Sequence, residues 1–117
     1  MNIGRVRVEV VSDGTVWMEK VHRPDALNRI PMVSRCLYIE SEGQRILVNT
    51  GHGSKLDEKA QQQIGLERPN GDLLTGLARL GVRPEDVDIV VNTHLHGDHC
   101  GGNSRWEGGR LTPTFPR

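Results

Sequence analysis

The run His94-Leu95-His96-Gly97-Asp98-His99 gathers three imidazoles and one carboxylate within six residues. Histidines this close repel one another when they are protonated, and buried rings without partners destabilise a fold. A divalent metal ion removes both problems, because neutral imidazole nitrogens and carboxylate oxygens coordinate it. The run therefore predicts a metal site, for which zinc is suited and iron or manganese also match the donors. A histidine-rich surface loop without a metal is the alternative interpretation.

The spacing of the four candidate ligands suggests how they divide between metal ions. In an extended segment, His94 and His96 point to the same side of the chain and can converge on one ion. Gly97 allows the chain to turn. After that turn, Asp98 and His99 can face a second ion beside the first.

The N-terminal third of the chain has the pattern of strands. Residues 5–11 alternate charged and apolar side chains, which is the period of a half-buried strand. The sequence Ser12-Asp13-Gly14 predicts a turn, so that residues 15–21 pair back as the second strand of a hairpin. Residues 22–31 contain two prolines and predict a loop, in which His22 is expected to be exposed.

A second hairpin and a buried strand precede the motif. Residues 36–39 and 45–48 are largely apolar and flank Ser41-Glu42-Gly43-Gln44, a hairpin turn. The glycine-rich loop Asn49-Thr50-Gly51-His52-Gly53 follows directly. Residues 88–91 contain a short apolar run that predicts a strand buried on both faces. The motif begins immediately after this strand, where functional loops are commonly built.

Two helices are expected between the second hairpin and the buried strand. Ser54 can cap a short polar helix over residues 55–64. The leucines of residues 72–80 recur at helical spacing, and Gly81 follows where a C-terminal cap belongs. The sequence Arg83-Pro84-Glu85-Asp86 is typical of a single helical turn with proline at its first position.

Size, charge and cysteine content exclude several classes of protein. The chain has 117 residues, enough for one domain, and its 15 basic and 15 acidic residues cancel. No basic stripe supports a nucleic-acid partner or an anionic membrane partner. Cys36 and Cys100 lack the paired spacing of a disulfide framework or a zinc knuckle. No signal-type or membrane-length apolar run occurs, so a cytoplasmic protein is expected.

The stretch Asp88-Ile89-Val90-Val91-Asn92-Thr93-His94-Leu95-His96-Gly97-Asp98-His99-Cys100-Gly101-Gly102-Asn103 resembles the zinc-motif segment of the metallo-β-lactamase-fold hydrolase superfamily. The upstream segment Ile46-Leu47-Val48-Asn49-Thr50-Gly51 and the helix after it occur in the order that the family shows. The resemblance implies an αββα sandwich of the α+β class, with a site for two zinc ions at one edge of its sheets.

The resemblance also implies roles for the four candidate ligands. His94 and His96 would bind the first metal ion, and Asp98 and His99 the second, with Asp98 also counted as catalytic. A metal-bound hydroxide in such a site attacks an ester, lactone, thioester, amide or phosphoester of a small molecule. Metals lower the pKa of bound water toward about 7, which makes this nucleophile available at neutral pH.

Two departures from the family pattern matter. Asn49 stands where the family usually has an aspartate, so the side chain keeps its hydrogen-bonding ability and lacks a negative charge near the metals. Asn49 and His52, in the same loop, are candidates for residues that contact the metal ligands without binding the metal themselves. The family's remaining ligands lie well downstream, yet residues 104–117 contain no His and no Asp. The chain is therefore expected to be a single domain, 1–117, cut short to the N-terminal half of the sandwich, with an irregular tail at 111–117.

Three functional hypotheses follow from these observations. The first is a metal-dependent hydrolase of which the rest is missing from this sequence. The second is a non-catalytic metal-binding half-domain that is inactive or works only with a partner chain. The third is a redox protein that holds iron at the same ligands. Two ions would have two ligands each, fewer than the usual three or four, so the chain alone is expected to be inactive. An uncovered apolar face around residues 46–48 and 89–91 predicts aggregation or a homodimer.

Overall fold

The computed structural model describes residues 1–19 and 29–117 and shows a mixed sheet with helices packed against one face. The sheet has five strands, which lie side by side in the order of the sequence. They are β1 (Asn2–Ile3), β2 (Val6–Glu19), β3 (Arg29–Ser41), β4 (Gln44–Val48) and β5 (Ile89–Val91). Neighbouring strands run antiparallel except for β4 and β5, which are parallel.

The remaining elements come between β4 and β5 or after β5 in the chain. They are helix α1 (Glu58–Ile64), helix α2 (Leu73–Arg79), a 3-10 turn (Pro84–Asp86), helix α3 (Gly97–Cys100), a second 3-10 turn (Gly101–Asn103), and strands β6 (Ser104–Glu107) and β7 (Arg110–Pro113). Strands β6 and β7 form a separate antiparallel pair. Helices and strands thus combine as the predicted α+β class. Across the two described ranges, no helix is long and apolar enough to cross a membrane.

The first predicted hairpin is wrong. Strand β2 runs straight through Ser12-Asp13-Gly14, and its second half pairs with the first half of β3. The register shifts between Ser12 and Gly14, which leaves Asp13 as the extra residue of a β-bulge. A sequence that is typical of a turn therefore forms a kink inside a long strand, because β3 continues to supply hydrogen-bonding partners on both sides of it.

Three other expectations about strands need correction. Residues 29–31 open β3 instead of ending the predicted loop, and the rest of that loop, with His22, lies outside the described residues. The tail is irregular only over residues 114–117, since residues 111–113 belong to Arg110–Pro113, which pairs with Ser104–Glu107. Strand β5 is not buried on both faces, because its Ile89 and Val91 lie on the side of the sheet that no described element covers. Ile89 and Val91 are consequently exposed.

The second hairpin, β3 to β4, is confirmed. Glu42 and Gly43 connect the strands with φ angles of 49° and 78°, which is the two-residue turn with positive φ at both positions that suits the twist of a hairpin. Helix α1 begins three residues later than the polar stretch suggested: Asp57, and not Ser54, accepts a hydrogen bond from the Ala60 amide. A carboxylate cap is favourable there because the first amides of a helix have no partners within it.

Helix α2 and the turn after it are confirmed. Asp72 caps α2 by accepting a hydrogen bond from the Thr75 amide at 2.9 Å, and the helix ends at Arg79, with Leu80 as its C-cap before Gly81. Gly81 has a φ of 76°, the left-handed conformation that commonly ends a helix. The predicted turn forms as the 3-10 segment Pro84–Asp86, with proline at its start. The limits of α2 and of the 3-10 turn are thus set by residues that are neighbours in the chain.

Asp13 is a buried carboxylate that joins three parts of the chain. It lies two residues after the core residue Val11, on the same side of β2, and its side chain is 1% exposed. It accepts hydrogen bonds from the His52 and Gly53 amides at 2.7 and 3.1 Å and from the Leu73 amide at 2.9 Å. The Arg68 guanidinium pairs with it at 2.9 Å. These contacts fix the loop after β4 and the start of α2 relative to β2.

One face of the sheet forms the core. Val11, Cys36, Tyr38 and Leu47 are buried on this face, and Leu77 of α2 packs against them. Their cross-strand alignment, with Val11 opposite Cys36 and Tyr38 opposite Leu47, is given by the register. Alternation along each strand sends the residues between them to the other side of the sheet.

The opposite face of the sheet is aliphatic and no described element covers it. Two cross-strand rows of four residues span β2 to β5, as the registers show. The rows are Val10, Leu37, Val48 and Val91, and Val8, Ile39, Ile46 and Ile89. Val10 is 63% exposed. The predicted apolar face thus exists, although Leu47 and Val90 belong to the core side.

Cys36 is expected to be chemically protected in the folded chain. Burial, with a smaller contribution from the Asp13 carboxylate, raises the pKa of its thiol to about 12. Since the thiolate is the reactive form, iodoacetamide at pH 8 should alkylate Cys36 at least about 100-fold more slowly in the folded chain than in denaturant. Peptide mass spectrometry over a time course measures this rate. Equal rates in both conditions would contradict the buried position.

We expect the aliphatic face to drive self-association of the chain. Val10→Lys should reduce binding of the dye ANS and lower the solution mass at high protein concentration, because it places a charge on the exposed face. Light scattering after size-exclusion chromatography measures the mass. Leu111→Lys is the control, since Leu111 is also exposed but lies on β7, away from this face. Equal effects of the two substitutions would show that the aliphatic face does not drive self-association.

Replacement of Asp13 is expected to destabilise the fold strongly. Asp13→Ala leaves Arg68 without its ion-pair partner and three backbone amides without their acceptor, a change of about 3–5 kcal/mol in the free energy of unfolding. Glu85→Ala removes one side of an exposed ion pair with Arg83 and should cost at most about 1 kcal/mol. Urea unfolding followed by circular dichroism compares them. If Asp13→Ala does not fold, the isosteric Asp13→Asn should still show a loss larger than that of Glu85→Ala, and a smaller loss would refute the role.

Candidate metal centre

The two segments that build the site leave the sheet side by side. Because β4 and β5 are parallel, their carboxyl ends lie at the same edge of the sheet. The Asn49 amide donates to the Val91 carbonyl at 2.8 Å, and the Thr50 amide donates to the His99 carbonyl at 2.8 Å. Gly51 and Cys100 form a parallel bridge. The loop after β4 therefore runs alongside the motif after β5.

Backbone hydrogen bonds shape the motif itself. The chain bends after β5, and His96 stands at the N-terminal cap of α3. Its carbonyl accepts from the amides of His99 and Cys100 at 2.9 and 3.1 Å. Gly97 is the first residue of this helix and has no positive φ, so its predicted role in the turn does not depend on a left-handed conformation.

The structure brings the candidate ligands together. One potential ligand atom each from His94, His96 and Asp98 lie within 4.8 Å of one another. The rings of His94 and His96 meet edge to face with their centroids 4.8 Å apart. The His99 ring lies beside them, 3.9 Å from the centroid of His94, and its Nε2 is 3.4 Å from Asp98 Oδ2.

This arrangement suits a divalent cation. The group of three offers two imidazole nitrogens and a carboxylate oxygen, which is a set of donors that zinc accepts, with a position left for water or substrate. All three side chains are exposed, so the cation would be reached from solvent. His99 lies next to this group and offers a fourth donor atom. The division of the four ligands between two ions, and the catalytic role of Asp98, stay predictions.

Close backbone packing holds the loop against the motif. A Cβ atom on Gly101 would overlap the His52 carbonyl oxygen, and one on Gly102 would overlap the Thr50 carbonyl oxygen. Glycine is therefore required at both positions for the two segments to approach this closely. A single added methyl group would push the loop after β4 away from the helix that carries the ligands.

A network of side-chain hydrogen bonds, which sequence reasoning missed, joins the two ends of the motif. Asn92, before the ligands, and Asn103, after them, exchange side-chain amide hydrogen bonds at 2.7 and 3.3 Å. Thr50 donates to Asn103 Oδ1 at 2.8 Å, and Asn92 Nδ2 also reaches the His99 carbonyl at 3.3 Å. The only signal in the sequence was an asparagine at each end of the motif, which by itself does not indicate a pair.

Asn49, a predicted supporting residue, contacts the residue before the first ligand. Its backbone has a φ of 64°, a left-handed conformation that asparagine tolerates better than most residues. Asn49 Oδ1 lies 3.0 Å from the Thr93 amide nitrogen and 3.1 Å from Thr93 Oγ1. Thr93 Oγ1 in turn lies 3.1 Å from His94 Nδ1. Polar contacts thus run from the end of β4 to the first imidazole.

His52, the other predicted supporting residue, is placed differently. Its amide donates to Asp13, and its ring is not part of the group formed by His94, His96 and Asp98. The pKa of His52 is lowered, mainly because burial disfavours the charged imidazole, while the carboxylates of Asp13 and Asp98 act in the opposite direction. A neutral, half-buried ring beside the motif is the result.

Known proteins resemble this chain in both sequence and fold. The family model described as the metallo-beta-lactamase superfamily matches residues 29–109. An N-acyl homoserine lactonase from Bacillus cereus is 39% identical over 77 residues, covering 58% of this chain and 31% of the lactonase. The mouse metallo-beta-lactamase domain-containing protein 1 is 61% identical over 31 residues, covering 26% of this chain and 12% of the mouse protein.

Solved structures show the same fold. A probable metal-dependent hydrolase from Staphylococcus aureus superposes with a TM-score of 0.78 at 22% identity, over 89% of this chain and 43% of the hydrolase. A dizinc quorum-quenching lactonase in complex with a product superposes with a TM-score of 0.74 at 22% identity, over 99% of this chain and 41% of the lactonase. These superpositions confirm the expected fold class for the part of the sandwich that the chain contains.

The extent of these matches defines what is shared. The chain spans about a third of the length of the Bacillus lactonases and about two fifths of the solved structures. The shared part includes the sheet from β3 to β5 and the metal-type motif, since the family model runs from residue 29 to residue 109. On this evidence the chain belongs to the metallo-beta-lactamase superfamily.

Proposed function

We propose that this chain carries the metal-binding part of a metal-dependent hydrolase that acts on a small lactone or a related ester. One observation carries the proposal: His94, His96 and Asp98 converge at the edge of the sheet where β4 and β5 end, in a chain of this superfamily. Lactonases among the relatives and structural neighbours support a lactone within the wider class of esters, thioesters, amides and phosphoesters.

His94, His96 and Asp98 would hold the metal, with His99 as a further ligand. Zinc is the ion we propose, since one structural neighbour is described as a dizinc enzyme and the nitrogen and oxygen donors fit it. A bound divalent metal supplies a nucleophile at neutral pH by lowering the pKa of water toward about 7, and it polarises the carbonyl that is attacked.

The side chains around the metal have separate tasks. The imidazoles of His94 and His96 would bind the metal ion in their neutral form, through a nitrogen lone pair. The Asp98 carboxylate brings negative charge next to these rings and offers an oxygen that can accept a proton from a nearby water molecule. His99 Nε2, 3.4 Å from Asp98 Oδ2, is placed to orient that carboxylate or to share the cation.

Zinc binding tests the proposed ligands. The metal-free chain should take up zinc in stoichiometric amount, and His96→Ala should weaken binding by more than about 100-fold, because it removes one of three gathered donors. His22→Ala is the matched control, since His22 is outside the motif, and its affinity should equal that of the unaltered chain. Competition titration with a chromogenic chelator measures each affinity. Absence of zinc, iron and manganese binding would overturn the proposal.

Turnover separates the hydrolase from a domain that only binds metal. Hydrolysis of N-hexanoyl homoserine lactone by the zinc-loaded chain, abolished by a chelator and restored by zinc, supports the hydrolase. We expect residues 1–117 alone to bind zinc without measurable lactone or ester hydrolysis, because two ions would have only two ligands each. Hydrolysis that appears only when a partner chain is added favours the alternative, a metal-binding half-domain that needs such a partner for activity.

A further inference from the structure

We propose that Asn49 and Thr93 form a positioning relay that sets the tautomer of His94 before a metal binds. This inference rests on the proposed metal-binding role of His94 and deepens it. The relay is the series of contacts from Asn49 Oδ1 to Thr93 Oγ1 to His94 Nδ1, with distances of 3.1 and 3.1 Å. Counting donors and acceptors along it leaves one arrangement of the protons.

The orientation of the Asn49 amide is fixed first. The backbone N–H of Thr93 can only donate, and the Asn49 side chain is its partner at 3.0 Å. The group of Asn49 that faces Thr93 must therefore be the carbonyl oxygen, because the amide NH₂ would place two donors against each other. The backbone of Asn49 is anchored in turn by its hydrogen bond to the Val91 carbonyl at the end of β5.

The hydroxyl proton of Thr93 is fixed next. Thr93 Oγ1 lies 3.1 Å from the same Asn49 Oδ1. A carbonyl oxygen has no proton to give, so the hydroxyl must donate to it. A hydroxyl has one proton and two lone pairs, which means that Thr93 Oγ1 has only an acceptor left for its other neighbour.

That neighbour is the imidazole of His94. Its Nδ1 lies 3.1 Å from Thr93 Oγ1, so Nδ1 must carry the proton to make this hydrogen bond. The neutral ring then has its lone pair on Nε2. A free neutral imidazole exchanges between both tautomers, whereas the relay selects the one that offers Nε2 to a cation. Metal ligands held in this way are oriented and made more basic by the partner of their second nitrogen.

The tautomer can be read directly in the metal-free chain. Two-bond ¹⁵N–¹H correlation spectra of the ¹⁵N-histidine-labelled chain, at a pH where the rings are neutral, distinguish a proton on Nδ1 from one on Nε2. Comparison with His94→Gln assigns the His94 signal. We expect the Nδ1–H form in the unaltered chain and in Thr93→Ser, which keeps the hydroxyl, and a mixture of tautomers in Thr93→Val, which has the same shape without it.

Metal affinity gives the second readout. Thr93→Val should weaken zinc binding by about 10- to 100-fold, the size typical for losing the hydrogen-bond partner of a ligand, while Thr93→Ser stays near the unaltered value. Asn49→Asp keeps an acceptor at the same position and should preserve the Nδ1–H form of His94. Asn49→Gly removes the acceptor, adopts the positive φ of this position without strain and should release the tautomer, as Thr93→Val does.

The outcomes separate this relay from the metal site itself. An Nε2–H form of His94 in the unaltered chain, or the same tautomer and zinc affinity in Thr93→Val as in Thr93→Ser, overturns the relay even if zinc binds. A chain that shows the Nδ1–H form and loses it in Thr93→Val supports the relay even if no zinc binds, and the failure then falls on the proposed function alone.

Discussion

The carboxylate of Asp13 is the contact on which the arrangement of the site depends. A buried carboxylate is unfavourable unless its charge is balanced and its oxygens are hydrogen-bonded, and here Arg68 and three backbone amides meet both conditions. The amides belong to the loop after β4 and to the start of α2, so satisfying one carboxylate sets the positions of both. Asp13 lies on the core side of β2, two residues after Val11, and it is the residue without a cross-strand partner in the bulge. One side chain of this strand thus fixes a loop that lies 40 residues away in sequence.

Backbone contacts then position the ligand segment relative to the loop that Asp13 holds. The loop after β4 is pinned by Asp13 on one side and packs against Gly101 and Gly102 on the other. The parallel pairing of β4 with β5 ensures that the loop and the motif start from the same edge. Because His94, His96 and Asp98 come from one short segment, the sheet needs to position only that segment for all three to converge. Hydrogen bonds among Asn92, Asn103 and Thr50 then join the two ends of this segment to each other and to the loop after β4.

The sequence predicted those features that depend on neighbours in the chain. The ligand cluster, the turn at Glu42 and Gly43 and the end of α2 before Gly81 each need only a few consecutive residues, and the structure contains all three. Features that depend on distant partners were missed or misread. Ser12-Asp13-Gly14 has the composition of a turn, and only the opposing residues of β3 show that it is a bulge. The burial of β5 was overestimated for a related reason: an apolar run indicates what a strand can bury, while the elements that pack on the sheet decide which of its faces are covered.

The asparagine at position 49 shows how hydrogen bonding and charge can be separated at one residue. In the relay, position 49 must accept from the Thr93 amide and from the Thr93 hydroxyl, and either an amide oxygen or a carboxylate oxygen does this. The aspartate that the family usually has would therefore leave the protons of Thr93 and His94 where they are. What asparagine changes is the electrostatic potential, since a unit negative charge two hydrogen bonds from the imidazole stabilises a bound cation over several ångströms. In the proposed site, the orientation of His94 would consequently depend on the acceptor at position 49 and the strength of metal binding on the charge there, and asparagine supplies the acceptor without the charge.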